Sequence, residues 1–378
     1  MTASLDARLD RLRGTTAPRS YTARTVAALT ANPGCARRAL MDAAGADKAE
    51  IAAQAGFPQP SSQSPFALTR GAVFETQVKA SGGADLIRLL RGTLGLALPE
   101  VAYDDLETVG GNASPEVRYR RTRALLLRAA RQPGDAGTLY DHPILRLRVG
   151  GHLAYLEPDV VAFQAAGRFH VVEIKSFAVI DGQADEESVA AAAMQAAVYV
   201  LALQDLLTAE DLPASAVSAS AILVTRENFS PQPTATMLDV RKQVSVLRRQ
   251  LARITRIGTL LDALPPGVTF DLMPGPDGTP ARPRAELAAA LVTVPARYQP
   301  RCLRTCELAG FCRDEARAAG SLDVLGSAVR EDLGGLDSIG TALALAAGQR
   351  EPSADQADIT RALRHASTLR GDLAGGAA

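Results

Sequence analysis

Apolar positions change their period several times along the chain, and the changes mark its elements. Residues 21–40 carry a helical spacing interrupted at Asn32-Pro33-Gly34. Helical spacing returns over 67–80, 84–98 and 114–131, after a Pro/Ser-rich loop at 58–65. The pattern then shifts to strand-like runs at 145–149, 153–163 and 169–177, with Gly150-Gly151 and 165–167 as turns. An Ala-rich helix is expected over 186–207, opened by Asp185, Glu186 and Glu187, whose charge suits the positive end of the helix dipole. Two more strands (219–225, 234–240), a basic helix (241–263), Pro/Gly-rich loops (265–283) and a helix to 292 follow. The order predicts an α/β protein with a central mixed sheet flanked by helices. Residues 1–20 read as a loose lead-in, 21–320 as the main domain, and the tail from 321 as a helical extension.

Apolar residues make up 47% of the 378 positions, enough for a sizeable core. Basic and acidic residues balance at 41 each, so contact with nucleic acid would rest on local patches and not on overall charge. One such patch is the 114–131 helix, with Arg118, Arg120, Arg121, Arg123, Arg128 and Arg131. A run of this kind is commonly a solvated helix face, and a phosphate-tracking surface is the other reading. Lysine occurs only at 48, 79, 175 and 242, every other cation being arginine. A lysine kept inside a carboxylate motif is therefore informative, because it is the compact point charge of the two. The first twenty residues are charged and lack an apolar leader segment, and no run has the length of a membrane span. A cytoplasmic protein without a membrane partner is expected. In that compartment its four cysteines favour metal or redox roles over disulfides.

Glu173-Ile174-Lys175 lies in an apolar strand, and alternation puts Glu173 and Lys175 on one face. A hairpin would set Asp159, from Glu157-Pro158-Asp159, beside Glu173. Adjacent carboxylates repel unless a cation lies between them, and Mg²⁺ or Mn²⁺ suits such an oxygen-rich site. A Glu-x-Lys pair by itself is as often a solvated ion pair. The buried strand around this one calls for a reason. Gln195 and Tyr199 share a face of the following helix. Glu75, on the 67–80 helix, is a further candidate carboxylate.

Asp159, Glu173-x-Lys175 and Gln195-x3-Tyr199 resemble the PD-(D/E)XK nucleases, and among them the RecB-like exonucleases. The resemblance implies a restriction-endonuclease-like core and Mg²⁺- or Mn²⁺-dependent hydrolysis of DNA phosphodiesters, on single strands or ends. It makes Asp159, Glu173 and the carbonyl of Ile174 metal ligands, Lys175 the catalytic lysine, and Gln195 and Tyr199 substrate-placing residues. Many relatives carry a ligand histidine on the first helix; after Gly71 this chain offers Phe74-Glu75 instead. A catalytically weak DNA-end-binding subunit is the alternative. No P-loop motif occurs, so any helicase activity would come from a partner.

Cys302-x3-Cys306-x5-Cys312 and the distant Cys35 allow a zinc site or an iron–sulfur cluster. The split of one early and three late cysteines resembles the iron–sulfur RecB-like nucleases, which include the CRISPR-associated exonucleases and the nuclease part of AddB. It implies a [4Fe–4S] cluster tying the two ends of the domain together. The first gap is x3 where that group usually has x2.

Overall fold

The computed structural model describes residues 4–58, 65–95, 102–132, 138–165, 168–228 and 230–375. The loop expected over 58–65 and the 165–167 turn lie largely outside these residues. The fold is α/β. Strands β1 (Ala102–Asp105), β2 (Thr138–Asp141), β5 (Val160–Ala165), β6 (Arg168–Val179), β7 (Ser220–Glu227) and β8 (Pro233–Asp239) form one mixed sheet in the order β1-β2-β5-β6-β7-β8. Strands β3 (Leu145–Val149) and β4 (His152–Leu156) form a separate hairpin. Gly150 and Gly151 join them, both at positive φ, as a two-residue turn of this hand requires.

Before the sheet come helices α1 (Leu5–Arg13), α2 (Ala23–Thr30), α3 (Ala36–Ala44), α4 (Lys48–Gln54), α5 (Pro65–Val78) and α6 (Ala84–Leu94). Between β1 and β2 lies α7 (Pro115–Arg131), and between β6 and β7 lies α8 (Glu186–Thr208), capped by the Asp185 side chain. Then follow α9 (Arg241–Leu251), α10 (Ile257–Asp262), α11 (Arg284–Val292), α12 (Cys302–Thr305) and α13 (Ala309–Ala318). The tail holds α14 (Ser327–Asp332), α15 (Ile339–Ala346) and α16 (Ala357–Gly375), with its own small core of Leu322, Leu336, Ala342 and Leu345.

Each face of β6 has its own core. Phe169 and Val171 face α8 and, through it, the N-terminal helices. Val172 and Ile174 face Phe74 and Val78 of α5 and Leu86 and Leu90 of α6. Among the described residues α8 alone is long and apolar enough to cross a membrane, and most of that stretch is buried inside the protein.

Four features depart from the expected pattern. The lead-in contains α1, whose Leu9 and Leu12 are buried in the main core. The single strand expected over 153–163 is two strands in two sheets. Pro158 has no N–H to donate to a ladder, and the chain crosses between sheets there. The long helix expected over 241–263 breaks between α9 and α10, where Ile257 N donates to Gly150 O at 2.9 Å. The arginine face of α7 is largely neutralised. Arg118 is buried and forked onto Glu157 (2.7 and 3.2 Å), Arg123 and Arg131 reach Glu210, and Arg120 reaches Glu116.

Candidate active site and thiol centre

The β5–β6 register pairs Val160 with Val172 and Val161 with Val171. Carried one pair further, it sets Asp159 against Glu173. Asp159 Oδ2 accepts from Ile174 N at 2.6 Å, and Asp159 O accepts from His142 N at 3.2 Å. Lys175 Nζ lies 2.5 Å from Glu173 Oε1. Glu173 is only 2% exposed, and its Oε2 is buried without a hydrogen-bond partner. Just beyond, the β6–β7 register shifts between Ile174 and Ala178, so the strand leaves the regular ladder beside Lys175. Tyr199, buried on α8, donates from its hydroxyl to Glu157 O at 2.8 Å and so fixes the chain before Asp159. Gln195 lies half-buried one turn earlier on α8. Asp159, Glu173, Lys175 and Tyr199 thus meet at one place.

Burial, and then the charge of Asp159, pushes the Glu173 carboxyl up to about 7. Burial raises Asp159 as well, against the pull of Lys175. Lys175 is raised: burial opposes its charge, but Glu173 and Asp159 outweigh it. Two buried carboxylates with one ammonium between them are short of positive charge, which an ion would supply. Glu173 therefore costs stability as the pH rises from about 4.5 to 7, because the folded state binds the proton more tightly than the unfolded chain. Glu173→Gln is expected to stabilise the ion-free protein at pH 8 by roughly 1–3 kcal/mol. Urea melts in EDTA check this; a less stable variant refutes it.

A second polar group adjoins this one. Glu75 of α5 and Lys79, the residue just past its end, lie four positions apart and pair. Lys79 Nζ bridges Glu75 Oε1 (2.5 Å) and Asp141 Oδ1 (2.6 Å), and lies 3.2 Å from His142 Nε2. The Tyr103 hydroxyl donates to Asp141 Oδ2. His142 Nε2 is 3.5 Å from Glu75 Oε1. The His142 contact, followed by Lys79, holds Glu75 down at about 2 against the effect of burial. Glu75 in turn acts electrostatically on both Asp159 and Glu173, so the two groups are continuous. One ligand atom each from Asp105, Glu107 and His142 lies within 4.8 Å of the others, a trio able to hold a metal ion. Sequence reasoning found Glu75 but missed Lys79, Asp141 and His142. The scarcity of lysine is the signal that could have found Lys79.

The cysteines form the other candidate centre. Cys35 precedes α3, Cys302 and Cys306 bound α12, and Cys312 lies in α13. All four are free thiols; Cys35, Cys302 and Cys312 are buried and Cys306 is half-buried. Cys35 is close enough to act on the charge of both Cys302 and Cys312. Burial pushes the Cys306 thiol to about 12 and the Cys312 thiol to about 11, opposed by Arg38 and Lys48 at the first and Arg37 at the second. Cys35 thus lies near Cys302 and Cys312, with Cys306 one short helix from Cys302, and four free thiols from two ends of the chain have the donor chemistry of a metal centre.

No family model matches the chain, and no curated protein matches it. Among solved structures it is similar to one described as "Crystal structure of SSO0001", at 12% identity and a TM-score of 0.25, over 66% of this chain and 83% of that one. A likeness this distant carries no argument, and the site stands on its own residues.

Proposed function

We propose that the chain is a metal-dependent DNA nuclease of the PD-(D/E)XK, RecB-like kind, with a [4Fe–4S] cluster on Cys35, Cys302, Cys306 and Cys312. The observation that carries the reading is Glu173 Oε2, buried and unpartnered beside Asp159 and Lys175. Buried carboxylate oxygens are ordinarily satisfied, and an orphan next to a second carboxylate is what a cation site leaves behind. Asp159 and Glu173 would hold Mg²⁺ or Mn²⁺, with the Ile174 carbonyl as the third protein ligand and Glu75 facing them from α5. Such an ion, when bound, lowers the pKa of a coordinated water and offsets charge on the scissile phosphate.

The remaining roles belong to the chain itself. Lys175 is pinned by Glu173 where its ammonium can orient the attacking water and meet charge building on the phosphate oxygens. Tyr199 braces the Glu157-Pro158-Asp159 corner, so the Asp159 carboxylate is pre-positioned. Gln195, one turn nearer the start of α8, would touch the substrate strand. Lys79 holds Glu75 and Asp141 in place. We place this activity in the cytoplasm, on DNA single strands or ends.

The test uses protein purified without oxygen and end-labelled single- and double-stranded DNA, with an RNA strand of the same sequence beside them. Expected is degradation of DNA with Mg²⁺ or Mn²⁺ and none in EDTA. DNA held at its ends but uncut with either ion would leave the chain an end-binding subunit and refute the nuclease.

A further inference from the structure

The two residues after Cys35-Ala36 are arginines, and both are buried: Arg37 is 1% and Arg38 is 4% exposed. Burying a guanidinium is costly unless its fork is filled. Arg37 Nη1 and Nη2 clasp Glu315 (2.7 and 3.0 Å), and Nε donates to Val294 O at 3.1 Å. Nη1 also points at Cys312 Sγ, at 3.2 Å. Arg38 donates to Asp42 Oδ2 at 3.2 Å, and the other oxygen of that carboxylate takes Lys48 Nζ at 2.5 Å. Two buried cations thus share one buried carboxylate, with only the half-exposed Glu307 further off at 3.9 Å. Arg38 and Lys48 act electrostatically on Cys306, and Arg38 on Cys302 as well. The Asn32 amide donates to Cys302 Sγ at 3.7 Å. Cys312 therefore has a cation, and Cys302 a donor, supplied by the segment around Cys35.

Neutral thiols give such an arrangement little. A guanidinium gains most from an ionised acceptor. A centre whose four thiolates outweigh the charge of its iron–sulfide core supplies it. We infer that Arg37 is a positioning residue for the four-cysteine centre: it neutralises thiolate charge at Cys312, retains the bound cluster and sets its reduction potential. The inference rests on the iron–sulfur reading given above. Hydrogen bonds to sulfur and nearby charge are the levers by which proteins move such potentials.

The experiment uses the full chain purified without oxygen: wild type, Arg37→Met, Arg37→Lys and Glu315→Gln. Iron and acid-labile sulfide per chain, the rate of iron loss to a chelator, and the reduction potential from the visible spectrum are measured. Arg37→Met should lose iron several-fold faster and move the potential to more negative values, with Arg37→Lys in between. Glu315→Gln should move it to more positive values, since it removes negative charge while the guanidinium stays. A merely structural ion pair would shift both variants the same way, and that result, or unchanged potentials and release rates, overturns the inference. If Arg37→Met does not fold, the opposed shifts of Arg37→Lys and Glu315→Gln decide the matter. Wild-type protein holding zinc and no iron overturns the iron–sulfur reading and the inference with it. A wild-type cluster indifferent to these variants overturns the inference alone.

Discussion

Lys175→Ala is expected to lower metal-dependent DNA cleavage by about 10²–10³-fold, the scale of losing one pre-positioned electrostatic group from a transition state. The residue is one of only four lysines in the chain, and its side chain is 30% exposed, so it can meet a substrate while anchored to Glu173. Its removal should spare the fold. Glu173, already raised to about 7, can take up a proton when its partner is gone, so no charge is stranded in the core. Arginine should not restore the rate, because a planar fork cannot occupy the volume of an ammonium held 2.5 Å from one carboxylate oxygen. Lys242→Ala, on the exposed face of α9, serves as the unchanged control. Initial rates on an end-labelled single strand, with melting curves alongside, decide the matter. Equal rates for wild type and Lys175→Ala would remove the lysine from the chemistry, whatever the metal dependence.

The parts of this site that could be read from sequence are those whose neighbours lie close along the chain. Glu173 and Lys175 follow from strand alternation, Asp159 from hairpin pairing, and Tyr199 from the next helix. The Gly150-Gly151 turn was legible because only glycine takes both positive φ values without strain. Asp141 and His142 were not legible, for the first ends and the second follows a four-residue strand too short to show a period, and β1 is equally short. Lys79 sits just past the end of α5 and acquires its meaning only when β2 is laid beside it. Composition carried more than was drawn from it. Three of the four lysines, at 48, 79 and 175, lie at the two candidate centres, each beside a buried carboxylate. The α7 arginine row read as a solvated face or a surface for phosphate, whereas Arg118 is a buried brace between Glu157, Leu106 O and His142 O.

Removing the proposed cluster, by chelation under oxygen or by Cys35→Ser, is expected to lower the melting temperature by about 10 °C. Cys35 and Cys302 are more than 260 positions apart, and closing a loop of that length restricts the unfolded chain by about 5 kcal/mol in the loop-entropy view. The native state should nonetheless survive, because the segment around Cys35 is not held by sulfur alone. Leu29, Leu40 and Met41 are fully buried in the main core, and Arg37 N donates to Pro295 O at 2.9 Å. The loss should therefore appear as a lower transition, not as unfolding at room temperature, unlike small metal-dependent domains that have no other core. Cys35→Ser should cost more than Cys306→Ala: Cys35 would be the sole ligand from the N-terminal segment, so without it no cross-link to the other end would remain, whereas Cys306 lies only four residues from Cys302. Circular dichroism melts of holoprotein, chelated protein and both variants, read against iron content, measure this order. A melting temperature indifferent to iron would show that packing alone holds the two ends together.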